Sequence, residues 1–309
     1  MIQSTVFRGI FPPMITPLRP DLSLDIAHTE RLIEHFIDGG VHGIFILGTT
    51  GEFAGLSSAV KRNLIQITCK QVNGRVPILV GVTDCSFTES VDLAAIAHRS
   101  GAEAVVAAPP FYMNIGQAEL INYYQKLADS VELPLFLYDM PSHTKIRIEV
   151  ETAVKLSKHP NIIGIKDSSG IIENFQALCE AFKQQPEFKI LVGPEEFLAE
   201  TLKMGGDGAV TGGANLYPKL YVALYEAFQK KDFDTVKKLQ ETIHFLANNL
   251  YQNGTYQSSY LKGLKAAMSF EGLCEDNFAP PIFPYTPVEK STLYAKFLQV
   301  KERVRHAFD

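Results

Sequence analysis

The sequence predicts an α/β protein: a (β/α)8 TIM barrel with a C-terminal helical extension. Three observations carry that prediction. Eight short apolar runs are each followed by a segment of helical periodicity. The runs are apolar throughout and do not alternate, as strands covered on both faces must be. After Asn215-Leu216-Tyr217-Pro218 the strand signals stop, and only amphipathic helical patterns remain.

The elements follow in order. An opening strand near residues 9–15 precedes a helix over 26–38, and a strand at 43–47 precedes a helix over 58–72. Strands at 77–82, 104–107 and 134–138 alternate with helices at 88–100, 117–130 and 149–158. Strands at 162–166, 189–192 and 208–210 are followed by helices at 172–184, 195–203 and 218–230. Glycine or proline marks the junctions at Gly39-Gly40, Gly74, Gly101, Pro134, Pro160 and Gly205-Gly206. Repeated strand–helix order implies a parallel sheet with crossover helices, and eight units imply closure. An open nucleotide-binding sheet would carry a glycine-rich fingerprint after its first strand; FPPMITPL stands there instead. Residues 1–230 are therefore expected to form the catalytic barrel and 231–309 a helical region, with helices at 233–251, 256–270 and 287–306. The apolar faces of these three need a cover, either the barrel or a neighbouring subunit.

Composition narrows the function. A net charge of −5 without a basic patch argues against a nucleic-acid partner. No run of about 18 apolar residues is present, so no membrane span is expected. The start MIQSTVFRGIFPPMITPL lacks a basic stretch followed by a long apolar run, which argues against a signal peptide. Cys69, Cys85, Cys179 and Cys274 are far apart and fit reduced thiols in a cytoplasmic protein. The histidines show no HxH or HExxH spacing, so no metal is expected.

In a barrel of this kind the active site lies at the carboxyl ends of the strands. Lys166 ends the apolar run Ile162-Ile163-Gly164-Ile165. Desolvation there favours the neutral amine, which can attack a ketone and form an iminium. A salt-bridged or snorkelling lysine would fit the same position. Tyr138 ends the neighbouring strand, where a phenol could act as general acid and base; a core tyrosine is the plainer reading. Gly48-Thr49-Thr50-Gly51-Glu52 offers two hydroxyls and backbone N–H groups that could hold a carboxylate, although glycine and threonine are also ordinary turn residues.

Taken together, GTTGE after the second strand, YxxP after the fifth and GIKD after the sixth resemble the dihydrodipicolinate synthase / N-acetylneuraminate lyase family. GIFPPMITPL, Pro109-Pro110-Phe111-Tyr112 and Gly205-Gly206-Asp207-Gly208 match its pattern as well. The resemblance implies a homotetrameric class I aldolase or lyase that uses no metal or other cofactor. By it, Lys166 forms the imine with pyruvate and Tyr138 shuttles protons. Thr49 and Thr50 bind the carboxylate and relay protons, and Tyr112 reaches into a neighbour's site. Gly48 lies in the carboxylate loop, and Gly193 stands near bound substrate.

The synthases carry an arginine after the fifth strand to hold the second substrate's carboxylate. Here Tyr138-Asp139-Met140-Pro141-Ser142-His143-Thr144-Lys145 places His143 at that position, with Lys145 or Arg147 as other sources of charge. A histidine offers no bidentate fork. Pro280-Pro281-Ile282-Phe283-Pro284 is similar to 2-keto-3-deoxy-sugar-acid aldolases, and GTYQSSYLKGLKAA to sialic acid lyases. The reading is an aldolase that cleaves a 2-keto-3-deoxy sugar acid to pyruvate and an aldehyde. Dihydrodipicolinate synthase is the alternative, followed by N-acetylneuraminate lyase and a non-catalytic pyruvate sensor.

Overall fold

The computed structural model describes residues 7–308; Met1 to Val6, the first part of the segment searched for a signal peptide, lie outside the described residues. Eight strands form one parallel sheet: β1 (Gly9–Ile10), β2 (Ile44–Ile46), β3 (Ile78–Gly81), β4 (Ala104–Ala107), β5 (Leu135–Asp139), β6 (Ile162–Asp167), β7 (Lys189–Val192) and β8 (Gly208–Ala209). From β2 to β8 each strand pairs with the next in sequence, and β8 pairs β1. The remaining seam, β1 to β2, is closed by a parallel bridge between Pro13 and Phe45 and by Phe45 N donating to Pro12 O at 3.0 Å. The opening strand is much shorter than the 9–15 expected. Pro12 and Pro13 have no N–H to donate, so the ladder is interrupted there.

The barrel helices are α1 (Ile26–Asp38), α2 (Ser58–Val72), α3 (Phe87–Ser100), α4 (Gln117–Ser130), α5 (Pro141–Thr144), α6 (Val150–Leu156), α7 (Ile172–Phe182), α8 (Leu198–Lys203) and α9 (Pro218–Gln229). Side-chain caps explain several starts: Asp25, Ser57 and Ser86 accept from His28 N, Val60 N and Glu89 N. Two local differences from the sequence expectation matter for the site. The 195–203 segment opens as a 3-10 turn, Glu195–Phe197, before α8. The short α5 falls within a stretch of loop-like composition; Pro141 at its N-terminus has the φ that a helix start needs.

Side chains inside the barrel form a compact cluster of Phe11, Phe45, Leu79, Val106, Phe136, Tyr138, Leu191 and Val210. A second, larger core lies between strands and helices and runs on into the extension. The extension comprises α10 (Phe233–Leu250), α11 (Ser259–Phe270) and α12 (Pro287–His306). Leu246, Leu264 and Val300 there are fully buried and belong to the same core as barrel residues such as Ile33 and Leu220. The helical faces left open by the sequence are thus covered within the chain. Truncating one of these leucines to alanine costs about 2–5 kcal/mol by loss of transfer energy and a residual cavity.

Cys69, Cys179 and Cys274 are buried and Cys85 is exposed, all as free thiols. Among the described residues, no helix is long and apolar enough to cross a membrane, and no group of three or more His, Cys, Asp or Glu side chains could hold a metal ion.

Candidate active site

A cavity of ≈ 580 Å³ opens at the carboxyl ends of the strands. Register places its chemistry. Tyr138 on β5 lies directly beside Lys166 on β6. Both point into the lumen, and the next pair, Asp139 and Asp167, points the other way. Asp167 supports the turn after the lysine, accepting from Ser169 N at 2.7 Å and Asn174 Nδ2 at 3.0 Å.

Lys166 is 6% exposed. Its Nζ lies 4.1 Å from the centre of the Tyr138 ring and 5.0 Å from that of Phe45. No carboxylate pairs with it among the described residues, so the salt-bridged alternative falls away. Burial holds its pKa below the ordinary lysine value, opposed by the Tyr138 phenol. A larger fraction of the amine is therefore available as a nucleophile at neutral pH.

The Tyr138 hydroxyl lies 3.1 Å from Thr49 Oγ1. Thr50 Oγ1 lies 3.2 Å from the hydroxyl of Tyr260 on α11. Thr49 and Thr50 line the cavity together with Lys166, Tyr138, His143 and Gly193. The loop that presents them is held at its far end. Glu52 adopts a left-handed backbone, φ 59°, and is 6% exposed. Its carboxylate accepts from Lys265 Nζ at 2.6 Å and from Ala279 N at 2.8 Å.

Not every sequence candidate is brought to the cavity. Gly48 does not line it; a Cβ there would come 2.6 Å from the Phe45 ring, so this glycine allows the strand end to pack on the lumen. Gly193 does line it, and a Cβ would meet Ser168 Oγ at 2.0 Å. His143 stands exposed at the rim, with Nδ1 3.0 Å from Ser142 Oγ, and desolvation by the wall lowers its pKa. Neither Lys145 nor Arg147 lines the cavity. Tyr112 is 80% exposed and lies outside the cavity of its own chain.

Several wall residues are not placed at the site by the sequence, although some fall within the motifs quoted above. Glu195 is 3% exposed and accepts from Tyr221 at 2.6 Å, Tyr251 at 2.8 Å and Gly213 N at 2.7 Å. Burial still pushes its carboxyl up to about 7. Tyr251, Gln257, Ser258 and Tyr260 come from the extension, as do Pro280, Pro281 and Ile282. Glu195-Glu196 begins three residues past the end of the seventh strand and could have been flagged by position; nothing in the spacing of Tyr260 or Lys265 points to the site.

A dihydrodipicolinate synthetase family model matches residues 6–300. The chain belongs to that family. A dihydrodipicolinate synthase structure from Bacteroides thetaiotaomicron is 45% identical, with a TM-score of 0.92, covering 94% of this chain and 98% of the other. YagE, a prophage protein of Escherichia coli K12 crystallised in complex with pyruvate, is 30% identical with a TM-score of 0.91, covering 96% and 99%. The probable 2-dehydro-3-deoxy-D-pentonate aldolase YjhH of Escherichia coli K12 is 33% identical over 93% of this chain and 95% of its own length. Members of the dihydrodipicolinate synthetase family are Schiff-base-forming class I lyases, and this chain is one of them. The relatives include both synthases and sugar-acid aldolases.

Proposed function

We propose that the protein is a pyruvate-dependent aldolase that cleaves a 2-keto-3-deoxy sugar acid to pyruvate and an aldehyde, without a metal or other cofactor. The observation that carries this reading is Lys166: a buried amine with no carboxylate partner, set against the Tyr138 phenol. The amine attacks C2 of the keto acid. The C2 oxygen takes one proton from the attached amine and a second from Tyr138 and leaves as water, and an iminium remains. Tyr138 then takes the proton of the C4 hydroxyl. The C3–C4 bond breaks, its electron pair moves into the iminium, and the aldehyde departs. Protonation of the enamine at C3 and hydrolysis release pyruvate and restore Lys166. The hydroxyls of Thr49 and Thr50 hold the carboxylate. In a homotetramer, Tyr112 completes the relay of a neighbouring subunit.

The cavity wall supports this choice of leaving aldehyde. Among the described residues no arginine lines the cavity, and its cationic groups are Lys166 and, when protonated, His143. A second substrate with its own carboxylate, such as aspartate semialdehyde, would lack a bidentate partner. Ser168, Glu196 and Gln257 offer partners to hydroxyl groups instead. The alternative is condensation of pyruvate with aspartate semialdehyde, supported by the 45% identical relative of that name. Both reactions are to be assayed on the purified protein. The expected result is faster cleavage of at least one 2-keto-3-deoxy sugar acid, with His143→Arg moving the preference toward the semialdehyde. Efficient condensation with no sugar-acid cleavage would reverse the assignment.

A further inference from the structure

The extension does more than close the barrel: it reaches the carboxylate loop twice. Tyr260 stands in the first turn of α11, and its hydroxyl meets Thr50 Oγ1 at 3.2 Å. Lys265, one and a half turns on, pairs with Glu52 at the other end of the same loop. The Tyr260 phenol has little freedom. A Cβ on Gly212, in the turn after β8, would come 1.8 Å from its oxygen, so the hydroxyl lies directly against the backbone. Its ring packs edge-on against Tyr251, with centroids 4.8 Å apart, and Tyr251 is itself tied to Glu195.

A threonine hydroxyl carries one hydrogen and two acceptor positions. Left alone, it rotates among several partners. Burial raises the Tyr260 pKa, so the phenol keeps its proton at neutral pH and has one to give. When Tyr260 donates to Thr50 Oγ1, the Thr50 hydrogen is released from that contact and can point into the cavity.

We propose that Tyr260 is a positioning residue for the substrate carboxylate, fixing the Thr50 hydroxyl so that its single hydrogen faces the keto acid. The inference rests on the Schiff-base reading above, because the ligand is taken to be an α-keto acid bound at Lys166. It adds a role for the C-terminal extension: setting the carboxylate site of its own barrel.

The test uses borohydride trapping on the intact protein, followed by the mass of the peptide carrying Lys166. Two probes are compared, pyruvate and acetone, a ketone without a carboxylate. Tyr260→Phe keeps the ring and removes only the hydroxyl. Without that contact the Thr50 hydroxyl is free to turn away from the carboxylate, so the half-saturating pyruvate concentration should rise about tenfold. Half-saturation by acetone should not move. An unchanged value for pyruvate would overturn the inference, and so would equal rises for both probes, which would mean a general disturbance of the amine. If the native protein traps neither ketone at Lys166, the Schiff-base reading itself falls, an outcome distinct from either of those.

Discussion

Three lysines lie buried among the described residues, and two of them, Lys166 and Lys265, have opposite surroundings. Lys265, on α11, is fully buried; its Nζ donates to the Glu52 carboxylate at 2.6 Å and to Thr16 O at 2.9 Å. Lys166, on β6, is 6% exposed and faces the rings of Tyr138 and Phe45. An ammonium gripped by a carboxylate has no lone pair to offer. An amine in an aromatic box, without a counter-ion, gains from losing its proton. Burial alone therefore does not make a nucleophile; what decides is the absence of an acid beside it. The carboxylates next to it in the sheet, Asp139 and Asp167, are turned away because strand side chains alternate.

The largest expected effect tests Lys166 as the proposed nucleophile. Lys166→Ala should lose essentially all turnover while its thermal midpoint stays close to native or rises, because a desolvated amine without a partner is removed. Borohydride with pyruvate should add mass to the Gly164–Asp167 peptide of the native protein and none to the peptide carrying Lys265. Adduct on Lys265, or none anywhere, would break the contrast. Mixed with Tyr112→Phe under subunit exchange, the Lys166→Ala protein should regain part of its turnover if Tyr112 serves a neighbour.

The paired lysine should fail in the opposite way. Lys265→Met leaves the Glu52 carboxylate buried and uncompensated, which costs about 3–5 kcal/mol. Urea denaturation should register that loss. The fraction still folded should continue to form the pyruvate adduct at Lys166. A variant as stable as the native protein would mean that the Glu52 pair is not what holds the loop.

The smallest effect concerns a buried acid without a cation, the counterpart of Lys166. The Glu195 carboxyl is raised from 4.5 to about 7. Between those values the folded protein holds a proton that the unfolded chain has released, so stability falls as pH rises through that window. The shift corresponds to at most about 3 kcal/mol. Asp139, raised from 3.8 to about 7, acts with the same sign. Glu195→Gln should therefore show a shallower decline of stability between pH 4.5 and 7. An unchanged slope would mean that Glu195 ionises in the folded state much as it does in solution.

The legible part of this architecture was the part written in local periodicity. Apolar runs and glycine or proline junctions marked eight strands, and α1, α2, α4 and α12 have the bounds that their amphipathic patterns predict. The first strand and α5 were less legible, because prolines act through hydrogen bonds they cannot make and φ values they impose. At the site, Lys166, Tyr138, Thr49 and Thr50 could be placed because each ends a strand or follows one directly. Glu195 was passed over although it sits at an equivalent position after β7.

By itself the sequence determined a barrel, an amine at the end of its sixth strand and a phenol at the end of its fifth, since chain order and a two-residue side-chain period place strand ends in a parallel sheet. Only the tertiary structure decided which groups meet them. Tyr260 reaches Thr50 across 210 residues, and Lys265 reaches Glu52 across 213. Such pairings follow from how helices of the extension pack over the barrel mouth. That packing is set by the shapes of many buried side chains acting together, and no local spacing records it.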